Sequence, residues 1–283
     1  MNALRSLAAL ALLALSLLSS GCATSHVSLY EVREFADESA KLGGYGELSK
    51  RYRDTYAREL PYLSVVADRV AKENDAKRKA VHDDFMALQK SLVLYMQTLS
   101  MLAGDTRFDL TPQLDDLGNG VKALAGSGLE QKHATAYTGL TRLLTRAIAS
   151  GYQKRSVETM VRDGDAHVRV LLEGMITLTR LYNKTHQNEK KTVLGIFDVE
   201  IPFSGKPTDR MLVTMAKAHY QEKAQEYKLL DRRYDIALQG LTKVSLGHQK
   251  MRERLDHLDS EEVRHTLADY ARDLRLIRDG LAD

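Results

Sequence analysis

Residues 81–102 read VHDDFMALQKSLVLYMQTLSML, and within them Val81, Phe85, Leu88, Leu92, Tyr95, Leu99 and Leu102 recur in alternating steps of four and three. That spacing lines up one apolar stripe along a helix, the seam of a coiled coil or a helical bundle. Upstream, Lys72 to Lys79 carries no apolar residue but Ala76, yet every residue except Asn74 and Asp75 is a good helix former. An unbroken helix from Pro61 to about Ala103 would be about 60 Å long, whereas a break at Asn74-Asp75 would make an extra hairpin. Pro61 suits the first turn of that helix.

Working outward, a first helix is expected from Ser28 or Leu29 to Leu60, turned or kinked at Gly43-Gly44 and Gly46. Beyond residue 103 a loop leads to Thr111-Pro112, with Thr as N-cap and Pro at the first helical position of a short helix to about Leu124. An amphipathic helix then reaches Ser150. Gly151 and Asp163-Gly164-Asp165 punctuate the next stretch, one of those aspartates serving as a cap. The helix after them carries Val168, Leu171, Leu172, Met175, Leu178 and Tyr182 on one side, a pattern that weakens beyond His186. A long helix after Pro207 spaces Tyr220, Tyr227 and Tyr234 seven residues apart and breaks at Gly247. Asp259 caps the last helix, with Glu262 three places on and Val263, Leu267, Tyr270, Leu274, Ile277 and Leu281 on its buried face. No fixed-length repeat signals a solenoid. The expected fold is all-α: an elongated antiparallel helical bundle.

One segment breaks the helical period. Phe197 to Phe203, FDVEIPF, alternates apolar and polar residues, which is a strand signal. Pro202 cannot donate to a ladder, so an edge position is implied. Arg107 to Leu110 is the only internal partner with a similar alternation. Phe197, Val199, Ile201 and Phe203 either anchor a loop that caps the bundle, or form an exposed apolar edge that binds another protein or the lipid interface.

The N-terminus has its own pattern. After Arg5, an Ala/Leu run from Leu7 to Leu18 ends in Ser19-Ser20-Gly21-Cys22. A short charged region, an apolar stretch and a small-residue site make residues 1–21 a secretory signal, too short to span a membrane comfortably. Leu18 to Cys22 resembles the lipobox of bacterial lipoproteins, with Ser19 where an aliphatic residue is usual. The resemblance implies an acylated Cys22 as first residue of the mature protein 22–283, anchored in membrane lipid by more than one chain. Ala23 rather than Asp after the cysteine implies export to the outer membrane, on its periplasmic face. About six residues separate Cys22 from the first helix, a reach of at most about 20 Å. Cys22 is the only cysteine, so no internal disulfide can form.

The chain carries a formal charge of +3, with acids and bases interspersed, four Pro and no Trp. No basic segment suits nucleic acid. Glu130/His133 and Glu262/His265 have the Glu-x-x-His spacing of di-iron bundles, but His265 stands off the apolar stripe of its helix, so no metal site closes. Asp163-Gly164-Asp165 with His167 lacks the further oxygen ligands of a calcium loop, and His82-Asp83-Asp84 reads as solvated charge. Phosphate loops and nucleophile elbows are missing. No cofactor is expected. The tyrosines at intervals of seven read as core packing with hydroxyls at the rim. The sequence thus predicts a non-enzymatic, lipid-anchored helical interaction or scaffolding module with an envelope protein as partner; a ligand or metal held between helices is the alternative.

Overall fold

The computed structural model describes residues 29–41, 44–104, 109–117, 120–122, 128–149, 156–204 and 206–282. Cys22 and the signal segment, Gly43, Arg107, Phe108 and Gly151 lie outside these. Among the described residues there is no strand, and the α-helices are α1 (Tyr30–Ala40), α2 (Gly44–Arg53), α3 (Thr55–Glu59), α4 (Val65–Ala103), α5 (Thr111–Asp115), α6 (Gln131–Ala149), α7 (Val157–Phe203), α8 (Arg210–Glu253) and α9 (Glu261–Ala282). None of them is long and apolar enough to cross a membrane.

The 81–102 seam is the inner face of α4: Val81, Phe85, Leu88, Leu92, Tyr95 and Leu99 are buried, and Leu102 packs on the same core. α4 runs through Asn74-Asp75 without a break, helped by an Asp75–Lys79 ion pair at 2.7 Å one turn apart. Its start falls later than Pro61, which lies in a short 3-10 turn, Leu60–Tyr62; the cap is Ser64, whose hydroxyl accepts from the Ala67 amide.

Five helices close a ring in the order α1, α4, α7, α8, α9 and back to α1, with α2 inserted among them and α6 lying against α7 and α4. α7 and α8 form an antiparallel hairpin whose register is read from Asp165 with His248, His186 with Asp231, and Phe197 with His219. α4 opposes α7 through Phe85 with Tyr182 and Tyr95 with Met160. α9 opposes α8 through Lys250 with Glu262 and Lys243 with Asp273. An odd ring cannot alternate throughout. Within the ring the parallel neighbours are α1 and α9, joined by Glu31–Arg264 and Glu38–Arg278 ion pairs.

The helices differ in length, and that decides the shape. α7 and α8, of 47 and 44 residues, are about 70 and 66 Å long, whereas α9 has 22 residues and ends level with Arg233, which donates to the Leu281 carbonyl. The ring is therefore thick at one end, and beyond Arg233 the α7–α8 hairpin continues as an arm. Leu29 and Arg33 lie at the thick end, Arg33 against Gly104. The turn between α7 and α8 lies at the other end, about 60 Å away.

Several expectations are corrected. The 197–203 segment is the last two turns of α7, not a strand. On a helix, Phe197 and Ile201 share one side and Val199 points away from it; a helix already running for forty residues adds a hydrogen bond per residue, while among the described residues there is no strand to pair with the alternate state. Asp109 and Leu110, the described part of the suggested partner, are not extended in a ladder. Pro202 instead marks the end of α7, one residue before Phe203, and Ser204 closes it by donating to Glu200 and Ile201 carbonyls.

Asp163-Gly164-Asp165 caps nothing: it is interior to α7, which begins at the Ser156 cap and continues unweakened past His186. Gly247 does not break α8. Both glycines are close-approach points, since a Cβ on Gly164 would stand 2.8 Å from Tyr95 Cε2 and one on Gly247 would overlap the Phe35 ring. The short helix starts at Thr111 and ends at Asp115, so Leu110 and not Thr111 holds the cap position, and the Asp109 carboxylate accepts from the Thr111 amide at 2.9 Å. The last helix starts at Glu261, directly after Ser260 rather than after Asp259.

Candidate interaction surface at the hairpin end

The arm has a small core of its own. Val193, Tyr227 and Leu230 are buried there, with Tyr62 and Leu194 packed on them, apart from the main core. Past that point Phe197 meets Tyr62, His219 and Tyr220 edge-on, with ring centroids 5.9, 5.5 and 6.2 Å away. Tyr62 Oη stands 2.8 Å from His219 Nε2, tying the 3-10 turn before α4 to α8. A hollow of about 280 Å³ opens beside this cluster, with Phe197, Ile201 and Leu212 among its walls.

Of the candidate partner-binding residues, the structure sets Phe197 and Ile201 on the side facing α8, and leaves Val199 57% exposed on the other; the Phe203 side chain lies outside the described residues. Sequence reasoning missed their companions. Met211, Leu212 and Met215 on the first turns of α8 are 77%, 66% and 63% exposed, directly across the turn from α7. The sequence signal for them was available: four apolar residues in the five positions 211–215, outside the tyrosine stripe. Clusters of exposed apolar side chains of this kind mark contact surfaces.

Between arm and main core lies a polar collar. Glu189, 1% exposed, accepts from Arg58 at 2.9 and 2.7 Å, from Arg51 at 3.0 Å and from the Tyr227 hydroxyl at 3.1 Å. Burial and the Glu189 charge push the Tyr227 hydroxyl far above its ordinary range. One turn earlier His186 Nε2 donates to Asp231 at 2.9 Å, and Gln187 and Lys190 donate to the same carboxylate. Burial holds the His186 imidazole below its ordinary value, with Asp231 pulling the other way. These groups fix α2, α3, α7 and α8 in one register. They extend the α7 apolar stripe by the same steps of four and three: Tyr182, His186, Glu189, Val193.

The Glu-x-x-His pairs are not brought together. His133 is buried against Gly174, with its Nδ1 accepting from the Glu130 amide at 2.8 Å and its pKa lowered by burial; His265 is exposed on α9 beside Glu261. Among the described residues no three His, Cys, Asp or Glu side chains converge on a metal position. Of the tyrosine series, Tyr227 and Tyr234 are buried and Tyr220 is half-buried.

Comparison with known proteins finds no family model, no curated protein and no solved structure that matches this chain.

Proposed function

We propose that this chain is a lipid-anchored envelope protein, held at the periplasmic face of the outer membrane through acylated Cys22, and that it acts as an interaction or scaffolding module rather than as an enzyme. The observation that carries the reading is the separation of the two ends. Leu29 stands at the thick end of the bundle, a short tether from Cys22, and the exposed Val199, Met211, Leu212 and Met215 stand about 60 Å away on the arm. An anchor at one end directs the apolar arm away from its own membrane. Of the two contacts open to an exposed apolar edge, another protein and the lipid interface, that leaves an envelope protein.

The test is crosslinking in cells followed by purification, comparing the wild type with Met211→Asp and Ile201→Asp. Met211 is exposed, so its replacement leaves the fold intact. A protein captured by the wild type and lost from both variants, with helicity unchanged, supports the reading. The same captured set from all three would remove the hairpin end as the contact surface.

A further inference from the structure

The N-terminal third of α4 is held to α3 by the Tyr56 hydroxyl, which donates to Asp68 at 2.7 Å, but it buries no side chain of its own. From Val65 to Lys77 none of its residues is buried, and one side of it, with Ala67, Val70 and Ala71, overhangs a groove of about 530 Å³ whose far wall is Tyr52 and α7 residues Thr185 and Asn188. At the inner end of the groove is Arg78, 8% exposed. Its Nε and Nη2 have no hydrogen-bond partner, and no described carboxylate lies within ion-pairing distance of it. Its guanidinium carbon is 6.0 Å from the centre of the Tyr52 ring. The neighbouring arginines on α2 and α3 each have a carboxylate: Arg51 and Arg58 both bind Glu189, although Arg51 Nε also lacks a partner.

A buried guanidinium with an unused edge is unfavourable unless something completes it. Nε and Nη2 form the edge that grips two oxygens of one carboxylate in parallel, the geometry Arg53 uses on Asp54 at 2.7 and 2.8 Å. Apolar Ala67, Val70 and Ala71 on one wall suit an aliphatic body, and the volume suits a small molecule. We propose that this groove binds a small organic carboxylate, its two oxygens on the Nε/Nη2 edge of Arg78 and its aliphatic part along α4. The site is independent of the hairpin end. Glu59, the acid among the groove-lining residues, already feels the Arg78 charge and could turn toward it instead.

Calorimetric titration of the purified protein with N-acetyl-leucine, N-acetyl-leucinamide and inorganic phosphate tests this. Saturable binding of the acid, absent for the amide, is expected, with at least tenfold loss in Arg78→Met and in Asn188→Asp. The second variant adds a competing charge on the groove wall, and so keeps the test open if the first does not fold. Arg78→Met is also expected to raise the thermal midpoint of the free protein, because it removes an incomplete buried charge. Equal binding of acid and amide, no saturable binding of the acid, or preferential binding of phosphate would overturn the proposal. So would a fall in the midpoint for Arg78→Met that Glu59→Gln reproduces, since the guanidinium would then be a structural partner of Glu59.

Discussion

The ring of Phe35 on α1 lies against the backbone of Gly247 on α8, so closely that a Cβ at position 247 would overlap its Cζ and Cε2. Phe35 is fully buried, and this contact lets α1 sit deep in the ring. Gly247→Ala should gain about 1 kcal/mol in helix propensity and lose about 1–3 kcal/mol to overpacking, a net destabilisation. Phe35→Leu in the same chain should recover part of it. Urea unfolding of the single and double variants measures both, and additive effects would show that the two residues do not press on each other.

Glu189→Gln should cost about 3–5 kcal/mol, because two guanidinium groups lose their shared carboxylate in a buried place. Glu226→Gln, at a carboxylate 36% exposed that meets Arg51 at 3.3 Å, should cost less than about 1 kcal/mol. Denaturant midpoints of the two variants should differ accordingly; equal midpoints would mean that the collar contributes no net stability.

Stability should fall as pH drops from 6.5 toward 4. Burial pushes the His248 imidazole down to about 4 from 6.5, against the pull of Asp165 and with the push of Arg169, and its Nε2 stands 2.9 Å from Tyr95 Oη. In that interval the unfolded chain binds a proton that the folded one refuses. The stabilisation is complete above 6.5 and declines below it, by on the order of 3 kcal/mol at the acid limit. His133 and His186, also lowered by burial, act in the same sense. His248→Gln should flatten the slope of midpoint against pH by about one proton; an unchanged slope would place the proton uptake elsewhere.

At the hairpin end, Phe197→Ala should loosen Tyr62 and His219 and speed amide exchange in the arm while the ring helices keep their protection. Val199→Asp, at an exposed position, should change stability by less than about 0.5 kcal/mol. Hydrogen exchange resolved along the chain separates the two. A global loss of protection in Phe197→Ala would join arm and ring into one cooperative unit.

Cys22→Ser should release the protein from membranes into the soluble fraction without altering its helicity, since one marginal or absent acyl chain does not anchor a protein stably. Fractionation beside a mass measurement of the wild-type N-terminal peptide checks it. Wild-type protein that is soluble and carries no lipid would end the anchored reading.

Periodicity sustained over several turns was enough to read α4, α6, α8 and α9, because a stripe that long has one geometric solution. The strand alternation of FDVEIPF spans only seven residues, and what overrode it was the helix already running into it and Tyr62 covering Phe197. Gly164 and Gly247 read locally as punctuation; only the neighbouring helices reveal that Tyr95 and Phe35 occupy the space a side chain would need. Glu189 and Arg78 look like solvated charges in the sequence. The first is buried with ion-pair partners and the second without one, a distinction that depends on residues more than a hundred positions apart for Glu189 and on a helix end that buries nothing for Arg78. The sequence by itself determined that this is an all-helical chain with long amphipathic elements, since each helix is specified by its own stripe. The tertiary structure alone decided the parallel closure of α1 on α9, the projecting arm and the buried charges, because the closure arises from an odd number of helices in the ring, the arm from unequal helix lengths and the buried charges from helices packed side by side, none of which a single helix encodes.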